Sequence, residues 1–154
     1  MSDFDQTDNS LRDISFQDRA PWWFKNRCAK VAEELSDYGV LMRDSAAADP
    51  SQGLAKIESE IRVLTQFDPN RPEHYVNLAH AIALDRGDKQ SEWEDALNRA
   101  KRLYYSLRRL SDGRNATENN IGEVLQVAAM MCQQFAQYST RWARVRDALR
   151  RAED

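Results

Sequence analysis

His74, His80, Cys28 and Cys132 are the soft donors of this 154-residue chain. They offer two kinds of chemistry, metal ligation and nucleophilic attack. Zinc sites draw ligands from short-range pairs such as Cys-x-x-Cys or His-x-x-x-His. His74 and His80 are six residues apart, which on a helix sets them about 120° from a common face. Neither cysteine has a partner at ligand spacing. Nucleophilic catalysis needs a nucleophile, a base and an orienting group in reach of one another. Cys28 or Cys132 with His80 would form such a pair, but both cysteines fall on apolar helix faces. There a thiol behaves as a small packed side chain. The carboxylates Glu58/Glu60 and Glu92/Glu94 are two apart and point away from each other on a helix. The sequence therefore predicts no enzyme, no catalytic residue, no metal and no cofactor.

Cations spell a different chemistry. Between residues 99 and 114 stand Arg99, Lys101, Arg102, Arg108, Arg109 and Arg114, with Asp112 the sole acid. On a helix whose apolar stripe faces inward, Lys101, Arg102, Tyr105, Arg108 and Arg109 share the outward side. A tyrosine among cations suits a single-stranded nucleic acid, because the cations track phosphates while the ring stacks on a base. The bland alternative is a solvated face whose C-terminal cations complement the helix dipole. Two further sets are candidate protein contacts. Trp22 and Trp23 are adjacent, so they point about 100° apart and need cover on two sides to be buried together. Arg141 and Arg146 flank an apolar seam, where charges pair with a partner helix. The acidic segment at the N-terminus is one candidate mate.

The elements that must position these residues are helices. Hydrophobic residues make up 42% of the chain and charged residues 31%, which places it among globular proteins. The formal net charge is −3. No basic, apolar leader opens the sequence, no apolar run reaches membrane-spanning length, and the cysteine usage fits reduced thiols. A cytoplasmic location without membrane contact is the expectation. Sustained alternation of period two is absent, so no strand is placed.

The longest pattern runs from Thr117 to Ala152. Ile121, Ala128, Phe135, Trp142 and Leu149 recur every seven residues. Val124, Met131, Tyr138, Val145 and Ala152 follow three residues behind. This heptad pattern predicts a rod of about 50 Å against which the other helices lie. A first helix opens at Pro21, with Phe24, Cys28, Val31, Leu35, Tyr38 and Met42 as its stripe and Gly39 as an early stop. A second spans Ser51 to Phe67. A third runs from Pro72 to Asp85 and stops at Gly87. A fourth starts on a Ser91/Glu94 capping box and carries Trp93, Ala96, Ala100, Leu103, Leu107 and Leu110 inward. The hairpin from Tyr75 to Tyr104 faintly resembles one tetratricopeptide unit, but no second copy follows.

The expected fold is all-α: a compact bundle of about five helices with a long C-terminal heptad-patterned helix. Residues 1–18 form an acidic N-terminal segment and residues 19–154 a single helical domain. In size, helical pattern and arginine faces the chain resembles, by architecture only, the small helical subunits of nucleoprotein assemblies such as CRISPR effectors. That implies a non-enzymatic subunit of a larger assembly. Its partners would be other protein subunits, copies of itself included, and single-stranded nucleic acid. The alternatives are a pure protein-interaction module, an adaptor or inhibitor, without nucleic-acid binding, and, least favoured, an enzyme with a cryptic site.

Overall fold

The computed structural model describes the backbone of residues 14–45, 49–110 and 118–153, and the side chains of 23–45, 49–107 and 120–153. Five helices follow one another: α1 (Ile14–Asp44), α2 (Ser51–Phe67), α3 (Pro72–Arg86), α4 (Gln90–Leu110) and α5 (Glu118–Glu153). Among the described residues there is no strand, and no helix is long and apolar enough to cross a membrane.

The helices alternate in direction. Arg27 pairs with Glu60, and Arg86 pairs with Glu58, so α2 runs against both α1 and α3. Arg99 stacks over Tyr75, and Trp93 Nε1 donates to the Gly87 carbonyl, so α4 runs against α3. His80 meets Ala128 and Gly87 meets Ser139, so α3 and α5 run the same way.

The centre of the bundle is α3, and this corrects the expectation that α5 would organise it. α3 touches all four other helices. Its buried residues lie all round the helix, from His74 and Asn77 to Ala79, Ala81 and Ala83. A helix that is apolar on every side belongs inside. Its alanines let neighbours approach closely. Gly87 marks the tightest crossing: its backbone lies directly on Ala136 of α5, where no Cβ would fit. Close approach, and not a left-handed C-terminal stop, is what this position needs, since its φ is −59°.

Most of the expected stripes are buried. Phe24, Cys28, Val31, Leu35 and Met42 of α1 and Leu54, Ile57, Ile61 and Leu64 of α2 enter the core. Four details differ. α1 starts at Ile14, so Pro21 lies inside it and leaves the Gln17 carbonyl without its helical donor. Gly39 does not end α1; the ring of Phe135 packs against it, and an added Cβ would stand 2.7 Å from Phe135 Cε1. Ser91 lies within α4, whose first turn is closed by Gln90 Nε2 donating to Glu94 at 2.8 Å.

The fourth difference is the rotation of α5. Ile121, Ala128, Phe135 and Trp142 are buried as the heptad requires, and Met131 and Tyr138 pack half-buried against the core, but the fully buried companions are Cys132 and Ser139. Those follow by four residues, not three. Val124 is 44% exposed, Leu149 57%, and Ala152 is exposed too. Leu107 of α4 is likewise exposed. The stripe turns because α5 packs on α3 and α4 as well as on α1. A helix wedged among three neighbours buries a broad arc, whereas a two-helix seam buries only the narrow a/d line.

Candidate functional site

α1 and α5 are parallel and touch toward their C-terminal halves. There Phe135 sits on Gly39, and Arg141 Nη2 donates to the carbonyls of Met42 at 2.9 Å and Arg43 at 2.7 Å. Toward their N-termini a cleft of about 710 Å³ separates them. Its α1 wall is made of small residues, Ala29, Ala32 and Ser36. Its α5 wall is Val124, Val127 and Met131, and its floor is Val76, Asn77 and His80 of α3. Lys25, Arg71, Glu73 and Glu123 stand on the lining with balanced charge.

The floor is fixed by polar contacts that the core must satisfy. Asn77 is buried, and its Nδ2 donates to the Cys28 carbonyl at 3.0 Å, latching α3 to α1. His80 Nε2 lies 3.2 Å from the Ala128 carbonyl, so that nitrogen carries the proton and latches α3 to α5. Burial holds the His80 pKa below the usual histidine range, so the ring is neutral. Cys28 borders the same cleft. Burial, with Glu73 adding to it, pushes its thiol up to about 11, and burial alone pushes Cys132 up to about 12. A thiol so raised is protonated at neutral pH and is a poor nucleophile. Cys28, Asn77 and His80 thus meet in one cleft, yet Asn77 and His80 each bond to a helix carbonyl and the sulfur is not activated.

On the α5 wall the chain shows something its hydrophobic spacing did not single out. Residues 124–140 contain no Asp, Glu, Lys or Arg, the longest such run in the sequence. Part of that run faces outward. Val127 and Met130 are each 59% exposed, and Gln126, Gln133, Gln134 and Gln137 are exposed beside them. On α2 the exposed apolar residues stand next to charges, Val63 after Arg62 and Phe67 before Asp68. The signal was present as the missing charge, but an uncharged apolar run reads first as core.

The cationic candidates lie elsewhere. Lys101 and Arg102 are exposed on α4. Tyr105 is half-buried and has further contacts, so it is not a bare stacking platform. The side chains of Arg108 and Arg109 lie outside the described residues. Arg102 shares a second, shallower cleft of about 520 Å³ with Arg62 of α2 and with Arg99. Arg62 is paired with Glu58 at 2.7 Å, and Arg99 stacks over Tyr75 at 4.9 Å. Glu92 and Asp95 close the other end of that cleft. The structure therefore keeps Lys101 and Arg102 on the surface and adds Arg62 and Arg99 to Arg102.

Of the protein-contact candidates, Trp23 is 37% exposed and packs edge-on against Phe24, 4.9 Å between centroids. The Trp22 side chain lies outside the described residues. Arg141 finds its partners inside the chain, at the end of α1. Arg146 lies over the Trp142 ring at 4.9 Å. Among the described residues no group of three or more His, Cys, Asp or Glu side chains converges as a metal site would require. No family model, no curated protein and no solved structure matches this chain.

Proposed function

We propose that this chain is a non-enzymatic assembly subunit that holds a helical segment of another polypeptide in the groove between α1 and α5. The observation that carries this reading is the exposed, charge-free α5 wall. Protein interfaces are depleted of charge at their centre and enriched in methionine. A contiguous apolar patch on a soluble domain marks a contact surface. An open trough with a small-residue wall opposite a valine and methionine ridge is the shape that takes a helix.

Photo-crosslinking tests it. A benzophenone amino acid at Val127, introduced in cells, should form an adduct with a protein. The same probe at Gln66, exposed on α2, should not. Absence of any protein adduct at Val127 removes this reading.

A second reading, contact with single-stranded nucleic acid, is favoured by the exposed Lys101 and Arg102 together with Arg62 and Arg99. Each phosphate contact adds about 0.7 to the log–log salt slope of single-strand binding. Arg102→Ala should weaken binding of a short labelled strand and flatten that slope. Unchanged affinity and slope leave α4 as a solvated face.

A further inference from the structure

The groove fits the ridge that borders it. A bulky, uncharged ridge of about two turns is needed to fill a trough walled by Ala29, Ala32 and Ser36. An exposed apolar row of nearly that length, Val124, Val127 and Met130, runs along α5. A surface that carries a ridge and its matching trough side by side is self-complementary, which is the requirement of a two-fold contact. We propose that the groove is filled by α5 of a second copy of this chain, in a parallel two-fold dimer. This rests on the reading of the groove as a protein-binding site.

Charge fixes the direction. Gly39 lies level with Phe135. Lys25 and Glu123 are fourteen and twelve residues nearer the N-termini, about 21 and 18 Å along their helices. They stand at the same mouth of the cleft, and neither has an ion-pair partner among the described residues. A two-fold axis running along the helices preserves height. It sets the partner's Val127 within about 3 Å of the height of Ala29, the partner's Met130 within about 3 Å of that of Ala32, and the partner's Glu123 within about 3 Å of that of Lys25. The reverse direction, centred on Val127, carries Glu123 to the height of Glu34 and sets two carboxylates together. The parallel arrangement pairs opposite charges at the rim and leaves none in the centre, where an unpaired charge is costly.

Sedimentation velocity of the full chain over about 1 to 300 µM tests the dimer. The expected result is a concentration-dependent monomer–dimer equilibrium. Val127→Glu should weaken it more than about a hundredfold by placing an unpaired charge in the contact. Val127 is exposed in the single chain, so the variant should melt like the parent. Lys25→Glu and Glu123→Lys should each weaken association by about fivefold, and the double reversal should restore it. A monomer throughout the range, or a dimer indifferent to Val127→Glu, overturns the proposal. A dimer broken by Val127→Glu but unmoved by the charge reversals overturns the parallel direction. A monomer whose Val127 probe still captures a different protein overturns the second copy as occupant and leaves the groove reading standing. Loss of every adduct removes both.

Discussion

Arg141 of α5 reaches the C-terminus of α1, where its Nη2 donates to the carbonyl oxygen of Met42 at 2.9 Å and, beside it, to that of Arg43 at 2.7 Å. The last carbonyls of a helix have no donor of their own, and the partial negative charge there favours a cation. One guanidinium therefore closes α1 and fastens it to α5 below the point where the groove opens. Arg141→Ala should cost about 1–2 kcal/mol. Arg141→Lys should recover part of that, since an ammonium supplies the charge but not the fork. Urea melts of both variants check the pair; an Arg141→Ala midpoint equal to the parent's refutes the cap.

Two glycines should respond in opposite directions. Gly87 lies on the backbone of Ala136, so Gly87→Ala forces α3 and α5 apart and should cost about 1–3 kcal/mol. Gly122 is exposed within α5 and has nothing within 4 Å of an added Cβ. Gly122→Ala should stabilise by up to about 1 kcal/mol through helix propensity. Thermal melts that shift the two variants the same way would contradict the crossing at Gly87.

The rotation of α5 predicts a contrast along one helix. Phe135 is buried against Gly39, with His80 edge-on at 5.5 Å between centroids. Phe135→Ala should cost about 3–5 kcal/mol through lost burial and a cavity. Val124→Ala, at an exposed position, should stay within about 0.5 kcal/mol in the monomer. Similar losses at both sites would restore the two-helix seam expected from the heptads.

Stability should depend on two histidines. His74 is fully buried and neither ring nitrogen has a hydrogen-bond partner, although Asp68 Oδ2 lies 3.5 Å from Nε2. Burial lowers its pKa, against the opposing pull of Asp68, and burial lowers that of His80 as well. The unfolded chain takes up these protons near pH 6.5 while the native state resists them. Their contribution is complete above pH 6.5 and is lost as pH falls from there toward the folded values. The loss reaches about 1.4 kcal/mol per pH unit for each group. Denaturation midpoints between pH 7.5 and 5 should fall for the parent and fall less for His74→Gln. Identical slopes would show that His74 titrates normally.

The sequence displayed the local structure well and the neighbourhood poorly. Ser51 to Phe67 is a helix with the expected ends and the expected inward residues, because period and caps are properties of one segment. α5 was also legible as a long helix. Which of its faces is covered was not, since that depends on α3, α4 and α1 together. Val124 fits a heptad and ends up on the wall of the groove, 44% exposed. The central place of α3 was visible only in its lack of a polar side, which a short alanine-rich helix does not advertise. The start of α1 before Pro21 runs against the local rule that proline opens helices. The groove itself is a space between helices far apart in the chain, so no spacing could announce it. On the cationic side, the exposure of Lys101 and Arg102 was legible in the spacing, but the nearness of Arg62 of α2 to Arg102 was not.

Five helices in alternating directions make an odd number of passes. Ile14 and Glu153 consequently lie at opposite poles of the bundle, about 65 Å apart along the helix direction. Joining two copies in tandem would therefore demand a tether, counted from Glu153 of one copy to Ile14 of the next, of at least about 18 extended residues to return from one pole to the other. Shorter tethers should forbid the parallel pairing and permit only end-to-end chains, so tether length by itself becomes a ruler for how neighbouring subunits are oriented.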